Sequence, residues 1–239
     1  MVNLLKSLRK TVLARALQPA WVDEARLLIQ RAVFQQVLTG YAFTGLCLNA
    51  GCGEGLFSEF LESFPAVETI INLDLVCPTI PQQRRDPRHQ AMAGSPTALP
   101  LESATVDTCL CSEVLEHIDN DVMAVAELAR VIKPSGLLLI SVPTPPAPPD
   151  PQHVREGYTL QDLTALLISH GFEVLRHRYC FYLWKRLLYH LWQWQFVTLG
   201  RRKRSVFPRF LLLAMGYADR LMPLGKPWDL VVLAQRSPS

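Results

Sequence analysis

Three glycines in five residues, Gly51, Gly53 and Gly55, stand between an apolar run at 44–48 and a helical pattern at 56–64. This layout predicts a strand, a tight turn and a helix start. Glycine lacks Cβ and reaches positive φ, so such a turn brings bare backbone against a ligand. The helix start beyond it offers unpaired N–H groups.

Beyond the turn, strand and helix patterns alternate. Residues 66–73 read as a second strand ending at Asp74, and 90–93 as a short third. Residues 106–111 form a fourth, and 121–132 a helix with Val122, Val125, Ala126, Leu128 and Ala129 at helical spacing. Lys133-Pro134-Ser135-Gly136 then predicts a turn, because proline and glycine stop the helix. Residues 137–142 are wholly apolar, as in a strand buried on both faces of a parallel sheet. Thr159 caps a helix over 159–169, Gly171 closes it, and strands come next at 172–178 and 228–235. The expected class is α/β, with helices on both faces of the sheet.

Ahead of this core, residues 1–40 read as two helices broken at Pro19 and closed by Gly40. The organisation expected is N-terminal helices over 1–40, a core over 41–178, an insertion over 179–227, and a last strand and tail over 228–239. Six prolines between 143 and 151 form a stiff connector or a lid at the end of a strand.

The six cysteines show no CxxC and no Cys/His ligand spacing, so no metal site is expected. They read as reduced thiols of a cytoplasmic protein. No apolar run reaches the length of a membrane-spanning helix, and the first residues lack a signal-peptide layout.

Asp74 closes the second strand 23 residues after Gly51, where a carboxylate can accept hydrogen bonds from ribose hydroxyls. A dinucleotide fingerprint would place its third glycine one residue later than Gly55, where Leu56 stands, and this disfavours a dehydrogenase. Taken together, Asn49 to Gly55, Asp74, Leu99-Pro100-Leu101, Val106-Asp107, Cys111 to Ile118 and Ala129 to Gly136 resemble class I S-adenosylmethionine-dependent methyltransferases. The likeness is to the broad group that includes quinone-biosynthesis and small-molecule enzymes, and it covers residues 44–178. His153 to Thr159 is also similar to a segment common in that group.

The resemblance implies a Rossmann-like seven-stranded sheet whose last strand is antiparallel, with S-adenosyl-L-methionine as cofactor. It implies that Asn49, Ala50, Gly51, Cys52 and Gly53 pass beneath the methionine part. Asp74 and Leu75 would hold the ribose, and Ser95 and Pro96 would border the adenine. Ser112, Glu113 and His117 would border the methionine end. Asn49 and Ser95 stand where the group usually has acidic residues. Each keeps an acceptor and loses a charge, so somewhat weaker cofactor binding is expected. Methyl transfer to oxygen needs a base, and His117, His153 and Tyr158 are the candidates.

The block from 174 to 218 contains no acidic residue and nine arginines and lysines, leaving −6 for the rest of the chain. Residues 179–228 also hold 12 of the 21 aromatic side chains. Over 181–196 Lys185, Arg186, Tyr189, His190 and Gln193 share one arc of a helix. Leucines and Trp184, Trp192 and Trp194 share the other. That is the composition of an interfacial helix, and Arg201-Arg202-Lys203-Arg204 comes directly after it. A second apolar helix starts near Phe210. The expectation is a methyltransferase acting on a lipid-like or quinone-like acceptor, with peripheral membrane contact through 181–222. Two alternatives stand beside it: a soluble small-molecule enzyme whose insertion is a lid or dimer interface, and a non-catalytic scaffold. Nucleic acid is the less favoured partner, because the long aliphatic runs suit lipid better.

Overall fold

The computed structural model describes residues 19–21, 24–80, 86–148, 150–200 and 204–238. In chain order these form β1 (Pro19–Trp21), α1 (Glu24–Val37), β2 (Gly45–Ala50), α2 (Ser58–Glu62), β3 (Val67–Asp74), β4 (His89–Ala93) and β5 (Val106–Ser112). A 3₁₀ turn (Leu115–His117) precedes α3 (Asp121–Val131), β6 (Ile132–Pro143), α4 (Leu160–Ser169) and β7 (Phe172–Cys180). The chain closes with α5 (Leu183–Leu199), β8 (Arg204–Pro208), α6 (Arg209–Leu221) and β9 (Asp229–Arg236). The first expected helix, before Pro19, lies outside the described residues, as do the side chains of Arg201 to Arg204.

Contacts divide the chain into two compact units. One comprises the described residues up to Ala32 together with Cys180–Pro227; the other comprises Val33–Tyr179 and Trp228–Ser239.

The larger unit is built on a seven-stranded sheet in the order β4-β3-β2-β5-β6-β9-β7. Strands β2 to β6 pair in parallel, and β9 runs antiparallel against β6. The α/β expectation therefore holds, antiparallel last strand included. From β2 the chain builds outward through β3 and β4 on one side, then returns to build β5 and β6 on the other. The C-terminal ends of β2 and β5 thus flank a topological switch point, where open α/β sheets bind ligands.

Packing is set by the apolar runs. Leu137 to Val142 are all buried, since this stretch of β6 is covered on both faces. Ala124, Val125, Leu128 and Ala129 of α3 press on the same core. Phe34, Phe43, Phe57, Phe60 and Phe64 make a separate aromatic cluster, with ring centroids 5.1–6.5 Å apart.

Several motif residues prove to be internal braces. Arg130 donates to the carbonyls of Leu99 and Leu101 and pairs with Glu127, which accepts from the N–H of Leu99 at 2.8 Å. Asp107 accepts from the N–H of Leu46 and pairs with Lys133 at 2.7 Å. Thr159 accepts from the N–H of Asp162 at 3.1 Å, the cap its sequence predicted.

Two local expectations change. The turn expected at 133–136 is a bulge inside β6: Val106 pairs with Ile132 and Thr108 with Leu137, so β6 advances five residues while β5 advances two. Ser135 takes φ 64° within it. The helix expected over 56–64 is only Ser58–Glu62, because the turn extends further than the glycines.

In the smaller unit, β1 and β8 pair antiparallel, a contact that periodicity did not predict. Ala25, Leu188 and Leu212 form its core, with Phe207 and Met215 packed alongside. Asp219 of α6 is buried and accepts from the N–H groups of Tyr182 and Lys185, at 3.0 and 2.9 Å. It caps α5, whose own N-cap side chain makes no such bond. Burial raises its carboxyl above the usual range, against the lowering pull of those N–H groups. Among the described residues, no helix is long and apolar enough to cross a membrane.

Candidate functional site

At the switch point the Gly51–Gly55 turn passes over the ends of β2 and β3. Gly51 has φ 66°, and a Cβ there would lie 2.3 Å from Val114 Cγ2, so no side chain fits. Gly53 has φ 51°, but nothing lies within 4 Å of its Cβ position. Its bare face opens into a cleft of about 670 Å³, within the range of small-molecule sites.

Asp74 ends β3 beside it. One carboxylate oxygen accepts from the N–H of Gly53 and the other from the N–H of Leu75, both at 2.8 Å. A carboxylate has about four acceptor positions, so each oxygen keeps one toward the cleft. Ser95 and Thr97 line the same cleft and bond each other at 2.8 Å.

The opposite wall is built from the residues after β5. Glu113 has φ 56°, a left-handed conformation that strains a non-glycine residue by about 1–2 kcal/mol. It is held there from both ends. Its N–H donates to the carbonyl of Ser141 at 2.9 Å, and the Ser141 hydroxyl donates to Oε1 at 3.0 Å. That hydroxyl has one proton, so Ser112 donates to it in turn, at 2.8 Å. Ser112 therefore positions Glu113 and is not itself in the cleft wall.

His117 and Gln152 complete that wall. His117 Nδ1 lies 3.1 Å from the carbonyl of Gln152. A carbonyl only accepts, so Nδ1 carries a proton, and in the neutral ring Nε2 keeps the lone pair. The His153 ring stands 4.8 Å from that of His117. Burial, and then the neighbouring His117, lower the pKa of His153. Tyr158 is different. It is buried, donates to Asp121 at 2.7 Å, and is held far above the ordinary phenol range by burial and that carboxylate. It ties the segment after the proline loop to α3, as Arg155 does with Asp121 at 2.5 Å, and it has no phenolate to offer as a base.

Of the expected cofactor residues, the cleft brings together Gly51, Gly53, Asp74, Leu75, Ser95, Pro96, Glu113 and His117. Asn49, Ala50, Cys52 and Ser112 are not in its wall. Asn49 is buried and donates to Asn72 Oδ1 at 3.0 Å. The cleft also contains residues that sequence patterns did not mark, among them Thr97, Asn120 and Gln152. Asn120 carried a signal, since it caps α3 through Met123 N–H at 3.0 Å. Gln152 carried none.

Comparison with known proteins accords with this geometry. Residues 48–140 match the family model for a methyltransferase domain. Over this segment the chain is similar to class I S-adenosylmethionine-dependent methyltransferases. A probable S-adenosylmethionine-dependent methyltransferase of Mycolicibacterium smegmatis is 35% identical over 135 residues, covering 53% of this chain and 51% of that one. A malonyl-[acyl-carrier protein] O-methyltransferase of Serratia marcescens is 32% identical over 120 residues, covering 49% and 47%. The chain thus spans about half the length of the curated relatives it matches. Among solved structures, an S-adenosylmethionine-dependent methyltransferase of Archaeoglobus fulgidus has TM-score 0.60 at 15% identity, covering 90% of this chain and 97% of that one. At that identity the likeness concerns fold.

The residues present fit the methyltransferase cofactor. Gly53 leaves room for its approach, and Asp74 keeps acceptor positions suited to ribose hydroxyls. Asn49, the more conspicuous departure from the family pattern, makes its hydrogen bond to β3 and not at the cleft.

Proposed function

We propose that the domain transfers a methyl group from S-adenosylmethionine to a lipid-like or quinone-like acceptor at a membrane surface. The methyl-transfer reading rests on one observation: the cleft at the switch point combines the open face of Gly53 with the Asp74 carboxylate. When bound, the cofactor supplies an activated methyl group on a sulfonium. Asp74 would hold the ribose, Ser95 and Thr97 would face the adenine, and Glu113 would border the methionine. The protein's contribution is alignment, which is worth several kcal/mol when the acceptor is held in line.

The acceptor class rests on the smaller unit. Its α5 and α6 and the segment after them leave Leu187, Trp194, Val197, Phe210, Leu221 and Met222 exposed. Large exposed apolar side chains of this kind suit contact with a membrane or a partner when they adjoin one another. They lie in or beside the chain's strongly basic block, and each cation near an anionic bilayer contributes about 1 kcal/mol. Two measurements test the reading separately. Calorimetry with S-adenosylhomocysteine should detect binding, and its absence would overturn methyl transfer. Flotation with anionic vesicles at low salt should carry the protein upward, and a protein that stays at the bottom would overturn the membrane acceptor.

A further inference from the structure

We propose that Glu116, His117 and His153 form a binding site for a divalent first-row transition cation at the edge of the cleft. The three side chains offer one carboxylate oxygen and two imidazole nitrogens, all within 4.8 Å of one another. His117 Nε2 and Glu116 Oε1 are already 3.8 Å apart. Tetrahedral ligands at ordinary zinc distances stand about 3.4 Å from each other. From a widest spacing of up to 4.8 Å, the set needs to close by about 1.4 Å at most.

Three further features fit a cation. The proton on His117 Nδ1 is fixed by the Gln152 carbonyl, leaving Nε2 as the donor atom. Such a second hydrogen bond is the usual support of a metal-binding histidine. Asp150 and Glu113 both act on His153 in the direction that favours a cation, against burial and His117. The segment bearing His153 is tied to the 3₁₀ turn through Val154 N–H and the Glu116 carbonyl, at 2.9 Å, which fixes the spacing of the ligands. Two imidazoles and one carboxylate suit zinc, cobalt or ferrous iron better than magnesium or calcium, which prefer all-oxygen sites. Three protein ligands also leave positions for water or substrate, and His117 places them at the cleft wall.

Metal binding at this site stands apart from methyl transfer, because its readout is the metal itself. The purified full chain is titrated with Co²⁺ and monitored by visible d–d absorption and by calorimetry. The expected result is one equivalent bound with a spectrum of low-symmetry nitrogen and oxygen coordination. Mg²⁺ should not displace it, and Zn²⁺ should. His153→Ala should weaken Co²⁺ binding at least tenfold, with the thermal midpoint of the metal-free protein within a few degrees of the parent. Because Glu116 is buried and Glu116→Gln could misfold, His117→Gln serves as the second variant and should show the same loss. No cobalt spectrum with the parent, or parent-like affinity in both variants, would overturn the assignment.

Discussion

Asn49 is the position to perturb first, because it begins a buried line of hydrogen bonds whose direction can be worked out. Asn49 Nδ2 donates to Asn72 Oδ1 at 3.0 Å, Asn72 Nδ2 donates to His89 Nδ1 at 2.9 Å, and His89 Nε2 donates to Glu62 Oε1 at 2.9 Å. The Glu62 carboxylate only accepts, so a singly protonated His89 carries its proton on Nε2. Asn72 Nδ2 also donates to the Gln90 carbonyl at 3.3 Å, which fixes the amide independently. Asn72 Oδ1 therefore faces Asn49 and requires a donor. Asparagine supplies one, and aspartate does not. Asn49→Asp, which restores an acidic residue usual in the family, would set two acceptors about 3 Å apart in a buried site. An unsatisfied buried acceptor costs about 1–3 kcal/mol, and more beside a charge. We expect a loss of about 2–4 kcal/mol near pH 8, or about 4–16 °C in Tm for a chain of this size. The clash is relieved only when the site takes up a proton, either on the new carboxyl, which then donates to Asn72 Oδ1, or on His89 with Asn72 flipped. The folded variant then binds more protons than the unfolded chain, so its stability falls as pH rises. The deficit should therefore be smaller at pH 5 than at pH 8. Asn49→Ala, which removes the donor without adding charge, should show a smaller deficit that does not change with pH. Thermal unfolding of the three proteins at both pH values decides it. An aspartate variant as stable as the parent at pH 8, or equally impaired at both, refutes the reasoning.

The two cleft glycines should respond differently. Gly51→Ala meets Val114 as well as the strain of its positive φ, and should cost about 2–5 kcal/mol of stability by chemical denaturation. Gly53→Ala has open space and should cost only about 1–2 kcal/mol, while calorimetry shows weakened S-adenosylhomocysteine binding. Asp219→Ala removes the cap of α5 and should cost about 1–2 kcal/mol, with faster proteolytic cutting between β7 and β9. A thiol reagent should modify one cysteine quickly in the native protein, the exposed Cys77. The other five are buried, and burial raises the thiols of Cys47 and Cys52 to about 12. Fast reaction of a second thiol would contradict the packing around β2 and β5.

The elements of the sheet were legible because each rests on local chemistry. Alternating apolar runs, the Gly51–Gly55 turn, the Thr159 cap and Asp74 at a strand end are patterns within a few residues of one another. Of the cleft residues, Gly53 and Asp74 were legible for the same reason, while Ser95 and Glu113 came only from the family resemblance. Thr97 and Gln152 were not, since nothing in their neighbourhood distinguishes them from ordinary loop residues. The bulge at 133–136 was misread as a turn because proline and glycine break a helix and distort a strand with the same local signature.

The sequence by itself determined an α/β chain with a glycine turn, an acidic strand end and a basic, aromatic insertion. Only the tertiary structure decided which distant side chains meet. Parallel register sets Asn49 beside Asn72, and their bond explains the missing acidic residue. A segment folded back against the 3₁₀ turn brings His153 to His117, giving a ligand set where no metal spacing could be read. Asp219, the first acidic residue after the basic block, reaches back to cap α5. Periodicity records which face of an element is apolar and carries no record of its partner. Those pairings arise when sheet register and loop closure join residues that local sequence leaves far apart.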